Sequence, residues 1–144
     1  MIALTLAEIA AATSGRLELG ATDAAPDTVV DGSVTTDSRE VGAGDVFVAK
    51  RGEFDDGHNF ASAAAEQGAA LLIVERPLDL PVPQVVVADS VDALGALASE
   101  VVRRVRALGR LRIVGVTGSN GKTTTKNLLR TVLEQVGPTV AARA

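Results

Sequence analysis

The stretch Val114-Gly115-Val116-Thr117-Gly118-Ser119-Asn120-Gly121-Lys122-Thr123-Thr124 joins an apolar run to an amphipathic one. The apolar run before it is mostly β-branched and predicts a buried parallel strand: Leu111, Ile113, Val114 and Val116. After it, apolar residues recur at three- and four-residue steps and predict a helix: Leu128, Leu129, Val132, Leu133 and Val136. A strand that turns directly into a helix aims unpaired backbone N–H groups at one point, which predicts an anion site.

The residue types in this loop match the needs of a nucleotide phosphate. Gly118 and Gly121 allow positive φ and leave no Cβ between the backbone amides and the phosphate oxygens. Lys122 is placed to reach the β- and γ-phosphates of ATP, as the catalytic residue, and the Thr123 hydroxyl to bind Mg²⁺. We therefore predict that the phosphate-binding loop comprises residues 117–124. The alternative is a strand-to-helix turn in which the glycines only relieve strain.

The glycine spacing narrows the class of protein. In the pattern G-x-x-x-x-G-K-[ST] the first glycine would fall at position 116, which is Val116 here. The spacing present is G-x-x-G-x-x-G-K-T, which fits a generic nucleotidase or GTPase less well. This loop, from Thr117 to Thr123, resembles that of the Mur ligase family, which couples ATP cleavage to amide-bond formation in peptidoglycan precursors.

A second resemblance to the same family lies far upstream. Thr35-Thr36-Asp37-Ser38-Arg39, Gly44-Asp45-Val46-Phe47-Val48-Ala49, and Gly52 with Phe54-Asp55-Asp56-Gly57-His58 are similar to its uridine-nucleotide-binding first domain. The resemblance implies that six residues bind the substrate: Asp37, Ser38, Arg39, Phe54, Asp55 and Asp56.

The residues alone leave those roles open. Asp-Ser is an ordinary turn former, and Arg39 could pair with Glu40 or Asp37 at the surface. Phe54 fits a lid on the core as well as a stacking partner for uracil. His58 has no acid–base partner in the sequence pattern, so we expect a local hydrogen-bonding residue rather than a base.

Within the family, Lys126 and Arg76-Pro77-Leu78 are most similar to the branch that adds D-alanyl-D-alanine. The resemblance implies an ATP- and Mg²⁺-dependent ligase, in which the carboxylate of UDP-N-acetylmuramoyl-tripeptide attacks the γ-phosphate and D-alanyl-D-alanine then attacks the acyl phosphate. Two alternatives remain: the amino-acid-adding branch of the family, or a nucleotide-binding module without turnover.

Composition excludes several other classes. Apolar residues are mostly Ala, Val and Leu, with three Phe and no Trp or Tyr, which favours an α/β protein. The absence of cysteine and the single histidine exclude a disulfide framework and a thiolate or histidine metal centre. The net charge of -4 disfavours a nucleic-acid partner. Without a signal peptide or a membrane-length apolar run, we expect a cytoplasmic protein with no membrane contact, monomeric when intact.

These patterns predict two domains of unequal completeness. Residues 1–108 are expected to form a small mixed-sheet domain that binds the uridine nucleotide, and residues 109–144 the incomplete start, strand–loop–helix, of a parallel-sheet ATP-binding domain. No acidic metal ligand or base pocket can be assigned after Lys122. We therefore expect a fragment of a longer enzyme, inactive by itself, that binds the uridine nucleotide and binds ATP poorly.

Overall fold

A computed structural model describes residues 1–52, 55–109 and 111–142. The chain divides into two compact units, Met1–Gly109 (unit 1) and Arg110–Ala144 (unit 2). No helix in the described part of the chain combines the length and the apolar character needed to cross a membrane.

Unit 1 combines short strands with three α-helices. Its elements, in chain order, are β1 (Leu4–Thr5), α1 (Leu6–Ala12), β2 (Arg16–Glu18), β3 (Val29–Val30), β4 (Val34–Thr35), β5 (Val46–Val48), α2 (Ala61–Glu66), β6 (Leu71–Val74), β7 (Gln84–Val86) and α3 (Ser90–Ala107). Two 3₁₀ turns, Ser38–Glu40 and Gly57–Phe60, follow β4 and β5.

Five strands form one mixed sheet in the order β2-β7-β6-β5-β4, and β1 pairs with β3 in a separate antiparallel ribbon. Strands β4, β5, β6 and β7 are parallel, whereas β2 is antiparallel to β7. The predicted mixed α/β sheet is therefore confirmed. The apolar run Val46–Val48 is an interior strand, paired on both sides, and all its residues are buried.

Alternation along the strands divides the core into two clusters, one on each face of the sheet. Val46 and Val48 of β5 pack in the cluster that includes Leu6 and Ile9 of α1 and Leu97 of α3. On the other face, Phe47 packs in a cluster with Ala61 and Ala64 of α2, together with Leu72 and Val74 of β6. Helices thus cover both faces of the sheet, and its strand ends remain as the place for polar loops.

Local capping signals set the helix starts. Thr5 and Glu8 form a reciprocal capping box at the start of α1, and Asp89 accepts hydrogen bonds from two backbone N–H groups at the start of α3. Threonine and aspartate are residue types that favour the cap position, so both caps follow from local sequence. The buried face of α3 carries Ala93 and Leu97, with Leu94 and Val101 partly buried against the same cluster, whereas Val91 is exposed.

Gly95 lies in the interior of α3, where an added Cβ meets no atom within 4 Å. Glycine in a helix interior costs about 1 kcal/mol relative to alanine, because its backbone loses more conformational freedom on folding. We expect Gly95→Ala to raise the free energy of unfolding of unit 1 by about 0.5–1 kcal/mol, measured by denaturant titration. Unchanged or lower stability would contradict the open surroundings of this residue.

Glu100 ties together two arginines of α3. It accepts hydrogen bonds from Arg103 and from Arg104, whose guanidinium also contacts Glu8 of α1. The hydrogen bond from Arg103, followed by that from Arg104, lowers the pKa of Glu100 to about 2.

A carboxyl group whose pKa is lowered by folding stabilises the fold at pH values above its pKa in the unfolded state. This contribution is lost as the pH falls through its pKa in the folded state. We expect Glu100→Gln to lower Tm slightly at pH 7, and the Tm difference from wild type to shrink as the pH falls from the ordinary 4.5 towards about 2. Thermal unfolding at a series of pH values measures this. A Tm difference that does not depend on pH would contradict the ion-pair assignment.

Unit 2 contains one helix, α4 (Lys122–Glu134), and the loop that precedes it. The predicted buried strand at 111–116 is wrong: these residues form no strand, and Leu111, Ile113 and Val114 are exposed. A parallel strand needs a neighbouring strand as its hydrogen-bonding partner, and the described residues of unit 2 include none. Leu128, Val132 and Leu133 of α4 are exposed as well.

Candidate functional site

The predicted substrate residues that the structure describes follow the ends of two neighbouring strands of unit 1. Because β4, β5, β6 and β7 are parallel, their carboxyl ends meet at the same edge. The Asp37–Arg39 segment follows β4, and the segment with Asp55 and Asp56 follows β5. In open α/β sheets, ligands bind outside the carboxyl ends of the strands. Two segments that are distant in sequence thus come to the edge where a ligand is expected.

The first segment is a 3₁₀ turn held by its own side chains. Asp37 caps the turn by accepting from the backbone N–H of Arg39 at 3.0 Å. Arg39 also donates two side-chain hydrogen bonds to Asp37, at 2.9 and 2.6 Å. Of the two partners that the sequence allowed, Asp37 and Glu40, Arg39 thus pairs with Asp37. This contact is the main cause that lowers the pKa of Asp37 to about 2. The Arg39 side chain is 86% exposed and therefore accessible to an anion.

The second segment is a closed loop after β5. Arg51 pairs with Asp56 in an isolated antiparallel bridge, and the Gly52 N–H donates to the Asp55 carbonyl at 2.8 Å. A Cβ on Gly57 would lie 2.5 Å from the Lys50 carbonyl oxygen, so only glycine permits this closure. Asp55 is exposed at the edge. Phe54, the predicted lid or uracil-stacking residue, lies outside the described residues.

A buried histidine stands behind this loop. His58 approaches Asp56 through Nδ1 at 2.5 Å, and its Nε2 accepts from the backbone N–H of Glu75 at 2.9 Å. Asp56 also receives the His58 backbone N–H and the Arg76 guanidinium, and these bonds hold its pKa well below the ordinary value. The prediction that His58 is a local hydrogen-bonding residue is confirmed. The Asp56 carboxylate is already engaged by protein donors.

Two charged residues at this edge were not singled out as site residues from the sequence. Arg51 follows β5 and lies 3.0 Å from Glu75, and Arg76 follows β6 and lies 3.1 Å from Asp56. Both arginine side chains are about half exposed. Their positions shortly after buried strands could have marked them as candidates in the sequence. Only the order of the strands in the sheet shows that the two arginines lie at the same edge.

The predicted phosphate-binding loop of unit 2 has the positive φ values that its glycines allow. Gly118 has φ 145° and Gly121 has φ 75°, which confirms the expected positive values. Gly121 precedes α4 in the left-handed region and offers no capping side chain, so the first N–H groups of the helix are not capped by it. The Lys122 ammonium bends back over the loop and donates to the carbonyl oxygens of Gly118 and Ser119.

This arrangement fits a bound phosphate better than it fits a metal site. Uncapped helix N–H groups, a lysine and an exposed Thr123 together suit an anion and a single hydroxyl ligand of Mg²⁺. Within residues 1–52, 55–109 and 111–142, no three acidic or histidine side chains are grouped to hold a metal ion.

A cleft of about 240 Å³ in unit 1 lies away from both candidate segments. Its lining is Glu18, Gly20, Ala21, Leu78, Asp79, Leu80, Pro81 and Gln84. Gln84 begins β7, so this cleft is at the amino end of that strand, whereas the candidate residues follow the carboxyl ends. None of the predicted site residues that the structure describes lines it.

Gly121→Ala, made in the intact protein, should raise the Kd for ATP by more than its loss of folding free energy alone would explain. The φ of 75° is strained for any residue with a Cβ, and a shifted turn would misdirect the amides of α4. Calorimetric titration with Mg-ATP measures the effect. Gly115→Ala is the matched control, because an added Cβ also meets nothing within 4 Å there. Wild-type ATP affinity in Gly121→Ala would mean that Gly121 is only a turn residue.

Residues 32–112 match the model of the Mur ligase family, described as its catalytic domain. The UDP-N-acetylmuramoyl-tripeptide--D-alanyl-D-alanine ligase of Escherichia coli is 41% identical over 97% of this chain and 28% of its own length. Ligases named for 2,6-diaminopimelate also match, over 70 to 73% of the chain. The chain spans less than a third of the length of these relatives.

Solved structures agree with the sequence matches. A MurF structure from Acinetobacter baumannii has a TM-score of 0.78 and 38% identity, covering 94% of this chain and 28% of that one. The MurF ligase of Thermotoga maritima, solved in complex with ADP, has a TM-score of 0.59 and 40% identity, covering 72% of this chain and 23% of that one.

Proposed function

Since this chain belongs to the Mur ligase family, we propose that it is part of an ATP-dependent carbon–nitrogen ligase that joins D-alanyl-D-alanine to UDP-N-acetylmuramoyl-tripeptide. Residues 1–108 hold the uridine nucleotide, and residues 109–144 begin the ATP-binding domain. The substrates are a nucleotide-linked peptide and a dipeptide, together with ATP, which suits a cytoplasmic enzyme.

The extent of the similarity carries the choice between the two branches of the family. The E. coli relative named for D-alanyl-D-alanine matches 97% of the chain, and one from Mycobacterium bovis matches 98%. The relatives named for 2,6-diaminopimelate match no more than 73% among those with the strongest similarity. Similarity that continues along nearly the whole chain favours the D-alanyl-D-alanine branch.

In unit 1, the proposed nucleotide site is the carboxyl edge of the parallel strands. Arg39 offers a forked cation suited to a diphosphate, and Ser38 offers a hydroxyl at the start of the same turn. Asp55 is an exposed acceptor on the neighbouring loop. Because adjacent strands β4 and β5 present the two segments, one extended nucleotide could contact both.

In unit 2, the loop amides and Lys122 hold the ATP phosphates and stabilise charge on the transferring phosphoryl group. Thr123 supplies one oxygen ligand to Mg²⁺, which would neutralise charge on the phosphates when bound. The ADP in the T. maritima relative supports nucleotide binding in this family. Lys122 must leave the Gly118 and Ser119 carbonyls to reach a phosphate, so binding exchanges these internal hydrogen bonds for charged ones.

The proposed reaction has two balanced steps. A carboxylate oxygen of the tripeptide attacks the γ-phosphorus of ATP, the bond to the bridging oxygen breaks, and ADP leaves. The amine of D-alanyl-D-alanine then attacks the acyl carbon, an amide bond forms, and inorganic phosphate leaves with loss of a proton from nitrogen. Each cycle therefore yields one ADP and one phosphate for each amide bond.

The complete enzyme that contains this chain, assayed for phosphate release, tests the proposal. We expect release that depends on both UDP-N-acetylmuramoyl-tripeptide and D-alanyl-D-alanine. Release with UDP-N-acetylmuramoyl-dipeptide and 2,6-diaminopimelate instead would assign the enzyme to the other branch. Binding of the uridine nucleotide without phosphate release under either condition would favour a binding module.

A further inference from the structure

His58 joins two segments that meet at the candidate nucleotide edge. Its side chain is completely buried, and each ring nitrogen faces a different part of the chain. Nε2 lies 2.9 Å from the backbone nitrogen of Glu75, which can only donate, so Nε2 must be the acceptor. Nδ1 then carries the proton and donates to Asp56 at 2.5 Å. The surroundings thus fix the neutral tautomer with the proton on Nδ1.

His58 gives the loop after β5 its buried contact with the next strand. Within the described part of the loop, Arg51 bridges Asp56 and the Gly57 N–H donates to the Lys50 carbonyl. His58 connects the loop to Glu75, the residue directly after β6. Among the described residues, two half-exposed ion pairs, Arg76 with Asp56 and Arg51 with Glu75, add to this buried link.

Glu75, at the other end of this contact, is held by further polar contacts. The Glu75 carboxylate accepts from the backbone N–H and the hydroxyl of Ser90, at 3.1 and 3.0 Å, and lies 3.0 Å from Arg51. Ser90 is fully buried at the start of α3. The end of β6, the start of α3 and the loop are thus connected by one set of polar contacts. Loss of the His58 ring would remove the buried link to the loop and leave the exposed Arg51–Glu75 pair, and such surface pairs contribute little.

We propose that His58 is a positioning residue for the uridine-nucleotide substrate: by bridging Asp56 and the Glu75 backbone, it holds the exposed Asp55 turn at the distance from Arg39 that the nucleotide requires. This inference rests on the proposed function of the edge. His58 does not touch the substrate, because both ring nitrogens are engaged inside the protein.

His58→Gln tests the inference, because its amide keeps polarity but cannot bridge both partners as the ring does. Titration with UDP-N-acetylmuramoyl-tripeptide should show at least about a tenfold rise in Kd, since small displacements of positioning groups have large effects. Ile9→Val is the stability control: Ile9 is buried in the cluster of α1, remote from this loop. Its Kd should stay at the wild-type value well below Tm.

Two further readouts separate positioning from a general structural role. In the complete ligase, His58→Gln should raise KM for the uridine substrate at least about tenfold and leave kcat within about twofold, because the loop 117–124 is untouched. Nitrogen-15 NMR of the wild-type ring should show Nε2 without a proton. If His58→Gln does not fold, His58→Asn, whose shorter amide cannot reach both Asp56 and the Glu75 N–H, should raise Kd in the same direction.

The outcomes distinguish the two proposals. Wild-type chain that does not bind the nucleotide would overturn the proposed function. Wild-type binding with unchanged Kd in whichever His58 variant folds would overturn the positioning role alone. A protonated Nε2, or a kcat loss with KM unchanged, would also overturn it.

Discussion

Replacing Lys122 by alanine in the complete ligase is expected to lower kcat/KM by roughly 10²–10³-fold, the range found when a preorganised charge-stabilising group is removed. Lys122 is exposed and its ammonium donates to the loop carbonyls of Gly118 and Ser119, so its removal deletes no core volume. The fold and the affinity for the uridine nucleotide should therefore stay the same. Steady-state phosphate release measures the loss.

Arg130→Ala is the matched control for that experiment. Arg130 is on the same helix and forms a surface ion pair with Glu134 two turns beyond the loop. Its removal deletes an equal charge and should leave kcat/KM within about twofold, since surface pairs contribute little. Wild-type turnover in Lys122→Ala, or an equal loss in Arg130→Ala, would remove the basis for the phosphate-binding loop.

Arg39→Ala is expected to raise Kd for UDP-N-acetylmuramoyl-tripeptide by roughly 10–100-fold, in keeping with a lost charge-assisted hydrogen bond to phosphate. The side chain is exposed, so the fold should tolerate its loss. Calorimetric titration of this chain measures the change. Arg103→Ala, which removes an exposed arginine paired with Glu100 on α3, should bind the nucleotide as wild type does.

Substitution of Asp37 tests whether Arg39 leaves this carboxylate in order to bind the nucleotide. Because the pKa of Asp37 is about 2, its carboxylate is ionised at neutral pH and competes with a diphosphate for the guanidinium. Asparagine caps helical turns as well as aspartate does, so Asp37→Asn keeps the turn while weakening that competition. We expect Asp37→Asn to bind the nucleotide at least as tightly as wild type. Weak binding in Asp37→Asn, with wild-type affinity in Arg39→Ala, would reverse the two assignments.

Local features of this fold could be predicted from the sequence, and contacts between distant segments could not. The capping box of Thr5 and Glu8 involves two residues three apart, and the Asp89 cap involves immediate neighbours. The positive φ of Gly121 follows from its own lack of a side chain. Features of this kind can be predicted because the interactions that determine them lie within one turn.

The errors and omissions share a different cause. The predicted strand at 111–116 has suitable residues, but a strand exists only through its partners, and the described residues of unit 2 supply none. His58 and Glu75 are seventeen positions apart, so only the pairing of β5 with β6 could bring the latter's backbone to the ring. The roles of Asp37, Ser38, Arg39, Asp55 and Asp56 came from family resemblance and await binding measurements.

Titration of this chain with UDP-N-acetylmuramoyl-tripeptide, alongside Mg-ATP and a phosphate-release assay, tests the central claim most directly. That claim is that unit 1 carries a uridine-nucleotide site at the carboxyl edge of its parallel strands, whereas the loop of unit 2 needs further structure to act. We predict saturable binding of the uridine nucleotide, weak binding of Mg-ATP and no phosphate release. No binding of the uridine nucleotide, or tight Mg-ATP binding with substrate-dependent phosphate release, would contradict it.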